Sequence, residues 1–143
     1  MADIRHVFLI HAPRSVVFQA LSSPGGLDAW WTQRASGEPV VGRTYQLGFG
    51  PEHNWQAIVR RCVPDAEFEL EFTSAGADWM GTRVAFELEQ KDATTHVRFD
   101  HTGWPTANDH YHSSNYCWAM YLRLLKRYVE HGEVAPYEER LDV

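Results

Sequence analysis

Glu67-Phe68-Glu69-Leu70-Glu71-Phe72 decides the fold, because three carboxylates alternate there with three large apolar side chains. Successive side chains of a β-strand point to opposite faces, so Phe68, Leu70 and Phe72 share one face and the glutamates the other. One face of the sheet is therefore packed and the other wet. That pattern marks an antiparallel sheet, since a parallel sheet covered on both sides reads as continuously apolar. On the wet face Glu67, Glu69 and Glu71 serve as solubilising charge rather than as a catalytic carboxylate pair.

The alternation continues outward from this stretch. Tyr45, Leu47 and Phe49 share a face, and strands are expected over Trp55 to Cys62, Thr82 to Glu89 and Thr95 to Thr102. Turn-forming residues separate them, at Gly50-Pro51-Glu52, Pro64-Asp65, Gly76-Ala77-Asp78 and Lys91-Asp92-Ala93, so the strands follow one another as hairpins. Upstream, Ile4 to Ile10 is rich in β-branched and aromatic residues and reads as a first strand. Pro13 suits the first turn of a helix running to Leu21, and Ser22-Ser23-Pro24-Gly25-Gly26 breaks it. Leu27 to Trp31 forms one further short turn, and Thr32 to Arg43 is a polar stretch.

From about Asn108 to His131 the period is helical. Trp118, Leu122, Leu125 and Val129 form one apolar stripe, with Cys117, Tyr121, Leu124 and Tyr128 beside it. Asn108 and Asp109 are suitable N-caps, and Gly132 is a natural stop. At 1.5 Å per residue the helix is roughly 35 Å long, enough to lie across a small sheet. The expected class is α+β: a curved antiparallel sheet of about six strands wrapped around the long C-terminal helix, with two short helices after strand one. The whole chain, 1–143, is expected to form one such domain.

Composition narrows the function. The formal charge of −6, from 13 basic and 19 acidic residues with the basic ones scattered, disfavours nucleic acid. No apolar run approaches the roughly 20 residues that cross a bilayer. The N-terminus lacks the basic-then-apolar order of a signal peptide, so a cytoplasmic protein without membrane association is expected. Cys62 and Cys117 form no C-x-x-C pair and read as buried, reduced thiols. Aromatic residues reach 13% and include six tryptophans, a surplus that hints at a cavity lining.

With these parts in place the chain resembles the START-like (SRPBCC, helix-grip) superfamily, in the branch similar to the C-terminal domain of the heat-shock protein ATPase activator homologues. The resemblance is carried by Ala12-Pro13 with Val17-Phe18-Gln19-Ala20-Leu21, Pro24 to Trp30-Trp31, Phe68 to Thr73, Gly81 to Leu88, His101-Thr102-Gly103-Trp104, and Trp118 with Leu122, Leu125 and Val129. It implies a cavity between sheet and helix, used across the superfamily for lipids, polyketides, hormones or aromatic substrates. One departure stands out: the branch often has Gly-Trp in the last helix where this chain has Cys117-Trp118, which is expected to narrow the cavity.

The expected ligand-binding residues are Tyr45, Trp55, Phe72, Phe86, Phe99, His101, Tyr111, Asn115 and Trp118. His101 shares the inward parity of Val97 and Phe99 and could orient a polar ligand atom or act as a general base; the plainer reading is a core-edge histidine bonded to the backbone. His110 and His112, with His101, Asp100 and Asp109 nearby, raise the question of a metal, but residues two apart on a regular helix diverge. No metal, cofactor or catalytic residue is assigned. Gly48-Phe49-Gly50 has no helix after it and is no dinucleotide fingerprint.

The leading expectation is a module that binds a small hydrophobic or aromatic molecule between sheet and helix. A cyclase-, aromatase- or hydrolase-like enzyme on the same fold is the first alternative. A chaperone ATPase-regulating partner protein, as in the namesake, is the second, and it ranks last because no second chaperone-binding domain accompanies this one.

Overall fold

The computed structural model describes residues 1–142. The chain begins with β1 (Ala2–Ile10), α1 (Arg14–Ser22), α2 (Pro24–Trp30) and β2 (Arg34–Ser36). It continues through β3 (Thr44–Gly48), β4 (Asn54–Val63), β5 (Glu67–Ser74), β6 (Arg83–Lys91) and β7 (Thr94–Trp104). Helix α3 (Asp109–His131) follows, and a 3-10 turn, Tyr137–Asp142, closes the described chain. The strands form one antiparallel sheet in the order β1-β7-β6-β5-β4-β3-β2. This is the expected helix grip with seven strands rather than six. The additional one is β2, three residues from the polar stretch, paired at Arg34↔Gly48 and Ser36↔Gln46.

Strand β5 behaves as its alternation requires. Phe68, Leu70 and Phe72 are buried, and each such side chain contributes about 1.5–3 kcal/mol through burial. On the opposite face the glutamates carry more structure than solubilising charge implies. Arg60 reaches Glu71 at 3.0 Å, and Arg83 bridges Glu71 at 2.9 Å and Glu69 at 3.3 Å. The Arg60 guanidinium holds the Glu71 carboxyl below the usual carboxylate range. The outer face is thus a ladder of cross-strand ion pairs that supports the register of β4, β5 and β6 set by the buried face.

Helices α1 and α2 close one end of the grip. Ser23 ends α1 in an extended conformation ahead of Pro24, and its side chain caps α2 by accepting from Gly26 N–H at 3.1 Å. A Cβ at Gly26 would stand 2.5 Å from the Ala20 carbonyl oxygen, so glycine there lets the two helices touch. The Trp30 indole donates to that same carbonyl at 3.0 Å, and the Tyr45 hydroxyl donates to the Ser22 carbonyl at 2.6 Å.

Helix α3 starts where Asn108 caps it, accepting from Tyr111 N–H at 2.9 Å, and ends at Gly132 with φ 69°. Trp118, Leu122 and Leu125 face the sheet and are buried. Val129 is only half-buried, as are Cys62 and Cys117, which are free thiols but less enclosed than expected. No helix among the described residues is long and apolar enough to cross a membrane.

Candidate functional site

The space between sheet and α3 is built around His101, which is fully buried on β7. Two polar groups bond to it, and a third follows in line. The Thr82 hydroxyl donates to the Trp79 carbonyl at 2.6 Å and lies 2.9 Å from His101 Nε2. The Trp118 indole lies 3.0 Å from His101 Nδ1, and an indole nitrogen can only donate. These facts fix the proton: Nδ1 accepts from Trp118, and Nε2–H donates to Thr82, whose own hydrogen goes to Trp79. The imidazole is neutral, with both nitrogens used inside the protein.

Aromatic rings enclose this relay. Trp79 packs edge-on against His101 at 4.5 Å and stacks on Trp118 at 5.9 Å. Phe99 lies 4.5 Å from Trp118, and Trp31 5.3 Å from it on another side. Trp104 lies 5.1 Å from His101. Burial, and secondarily the nearby His110, depresses the His101 pKa from 6.5 to about 3. Protonation would also point a second N–H at the Trp118 N–H.

Of the expected lining residues, Trp55, Phe72, Phe86, Phe99 and Trp118 join His101 in this cluster, whereas Tyr45 packs on Phe68. Tyr45, Phe72, Phe86, Phe99, His101 and Trp118 are buried, and Trp55 is half-buried, edge-on to Phe72 at 6.1 Å. Tyr45 is tied to α1 by its hydroxyl, and burial pushes that hydroxyl's pKa up. Tyr111 and Asn115 are half-buried on the first turns of α3, with the Tyr111 hydroxyl donating to the Asp3 carbonyl. Cys117 does not narrow this space: it lines a groove on the other side of α3, because adjacent helical residues point about 100° apart. His110 pairs with Asp78 at 2.8 Å, away from His112, and no group of three metal-ligating side chains occurs among the described residues.

Open space beside α3 lies at its rim, against the edge strand β1. Tyr111 grips the Asp3 carbonyl at one end of that strand. At the other, Lys126 Nζ donates to the Leu9 carbonyl at 2.7 Å and Glu130 accepts from His11 N–H at 2.7 Å. Between these stitches a slot of about 400 Å³ remains, lined by His6, Phe8, Leu9, Ala119, Leu122 and Arg123, among others. His6 and Phe8 share the inward parity of Ile4 and Ile10, and the His6 ring lies 6.2 Å from Phe99, which links the slot to the aromatic cluster. His6 Nε2 is buried without a hydrogen-bond partner, as are the indole nitrogens of Trp79 and Trp104. Each indole stands edge-on to another ring, Trp79 to His101 and Trp104 to Tyr111, whereas the imidazole borders open space. Sequence reasoning missed His6; the signal available was its parity with Ile4, Phe8 and Ile10.

A curved antiparallel sheet closed by one long helix over an aromatic core defines a helix-grip protein of the START-like superfamily. Within it, the chain belongs to the family described as activator of Hsp90 ATPase homolog 1-like protein, whose model matches residues 11–130. It is similar to the Aha1 dimer of Colwellia psychrerythraea, known from a solution structure: 34% identity, 93% of this chain, 99% of that one, TM-score 0.82. It shares its fold with SSP2350 of Staphylococcus saprophyticus at 20% identity, over 94% of this chain and 96% of that one, TM-score 0.79. MLL2253 of Mesorhizobium loti shares it too, at 18% identity over 93% and 100%, TM-score 0.80. No curated protein sequence matches the chain.

The relay predicts a pH dependence with a definite sign. Unfolded, the imidazole takes up a proton near pH 6.5; folded, it resists to about 3. Between those values the unfolded chain binds more protons, so the His101 contribution to stability is lost as pH falls, by up to about 1.4 kcal/mol per pH unit. In a nuclear magnetic resonance titration from pH 8 to 5 the His101 ring should keep its Nε2–H tautomer and show no protonation. A midpoint near 6.5 would contradict the relay.

Proposed function

We propose that this chain binds a small hydrophobic or aromatic molecule between the sheet and α3, seated in the slot beside β1. Phe8, Ala119 and Leu122 form its walls, and Phe99 and Trp118 stand behind them. The observation that carries the reading is the buried, unpartnered His6 Nε2 on the wall of that slot. A buried polar atom without a partner costs free energy that a ligand hydroxyl or carbonyl would recover. Apolar walls with one or two convergent polar groups are the usual make-up of a small-molecule site. Of the expected lining residues, Phe86 packs on Phe99 behind the slot and His101 holds Trp118 in place, whereas Tyr45, Trp55 and Phe72, on β3, β4 and β5, fill the core farther from β1. Tyr111 fastens the end of the slot at Asp3, next to Asn115 one turn further along the helix.

A second reading, regulation of a chaperone ATPase, rests on the family's description and on the 34% identity to Aha1. In that case the purified chain raises ATP turnover by Hsp90 from the same host; unchanged turnover removes the reading.

The slot is tested with naphthol, an aromatic probe with one hydroxyl, titrated into isotopically labelled protein. Resonances of His6, Phe8 and Leu122 should shift together. His6→Leu, which keeps the bulk and removes the ring nitrogens, should weaken binding about five- to tenfold, the worth of one hydrogen bond. Shifts elsewhere, or equal affinity in the variant, would overturn the proposal.

A further inference from the structure

We propose that the outer face of α3 carries a second binding site, for an amphipathic carboxylate, beside the slot and sharing with it only Ala119 and Arg123. Cys117, Met120 and Leu124 line a groove of about 280 Å³ there, and Leu141 of the C-terminal 3-10 turn forms its far wall. Arg123 and Arg127 flank the groove four residues apart, so their guanidinium groups stand over the same stripe.

Among the described residues no carboxylate compensates the charge of this groove. Arg5, Arg60, Arg61 and Arg83 each face a carboxylate, and Lys126 pairs with Glu130 at 2.7 Å. Arg123 and Arg127 have no carboxylate within ion-pair distance among the described residues. In a chain of net charge −6, two adjacent unpaired cations form a local field that an anion complements. Guanidinium groups bind carboxylates through parallel N–H donors, which fixes the head of the ligand above the apolar bed. Burial pushes the Cys117 thiol up, so that wall stays neutral.

The tail is held in place to make the far wall. Leu141 is 68% exposed, yet the residue before it is anchored deep in the protein. The Arg140 guanidinium is buried and donates to the carbonyl oxygens of Asp28 at 2.6 Å, Thr32 at 3.1 Å and Ala135 at 3.0 Å, with the Tyr137 ring 5.4 Å away. A buried cation requires such partners: Asp28 and Thr32 lie at and just past the C-terminal end of α2, where carbonyl oxygens are free to accept, and Ala135 lies between α3 and the 3-10 turn. Residues 137–142 fall outside the segment that the family model matches, so the wall made by Leu141 lies beyond it while the α3 side of the groove lies within it.

Phenylbutyrate and its neutral counterpart phenylbutanol test the site on the full chain, with methyl resonances of Met120, Leu124 and Leu141 as the readout. The acid should shift all three and bind at least about fivefold more tightly than the alcohol. Arg127→Gln should bring the two affinities together, and Leu141→Asn should weaken both. Neither residue lines the slot, so naphthol shifts at His6 and Phe8 should be unchanged in both variants, and either site can fail without the other. Equal binding of acid and alcohol to the unaltered chain, shifts confined to His6 and Phe8, or an undiminished preference in Arg127→Gln would each overturn the proposal.

Discussion

The hydrogen bonds from Trp118 through His101 and Thr82 to the Trp79 carbonyl set the constraint on which the rest of the structure depends. Three elements meet there: α3 supplies Trp118, β7 supplies His101, and the connection between β5 and β6 supplies both Trp79 and Thr82. In a buried aromatic core each unmade bond would cost the full desolvation of its group, so the relay has one arrangement and the helix one seat on the sheet. Apolar packing alone tolerates sliding of a helix by a fraction of a turn. A directional bond between a helix indole and a strand imidazole does not.

That seat decides what space is left for a ligand. With Trp79, Trp104 and Trp118 crowding His101 and Trp31 packed on Trp118, the middle of the grip is given over to packing, and open volume is displaced to the two sides of α3. The slot toward β1 carries a buried imidazole nitrogen, whereas the groove toward the tail carries two cations that pair with no carboxylate among the described residues. Arg123 stands between them and borders both. Membership of the Hsp90 ATPase activator homolog-like family fixes the scaffold and leaves chemistry to these flanks, because one fold carries many functions.

Most of the fold could be read from the sequence, because period-two alternation in β5, β6 and β7 and the stripe of α3 are local consequences of burial on one face. Strand β2 could not: Arg34-Ala35-Ser36 is short, lies on an edge and owes its conformation to pairing with β3 rather than to its own side chains. The residues of the aromatic cluster were legible by parity, but parity cannot tell a filled core from a cavity. His6 was hidden because β1 also carries Val7 and Leu9 outward, which masks the alternation. Cys117 was placed with Trp118 by adjacency, although a helix turns neighbours apart. The Arg140 anchor left no signal at all, since a buried arginine looks in sequence like any exposed one.

A crystal structure of protein purified from its own host, without added ligand, tests the account most directly. Density for a small molecule between β1 and α3, with a polar atom within hydrogen-bond distance of His6 Nε2 and the Trp118–His101–Thr82 relay intact, is the predicted result. A ligand enclosed among Trp79, His101 and Trp118, with the relay broken and the slot bare, would contradict it.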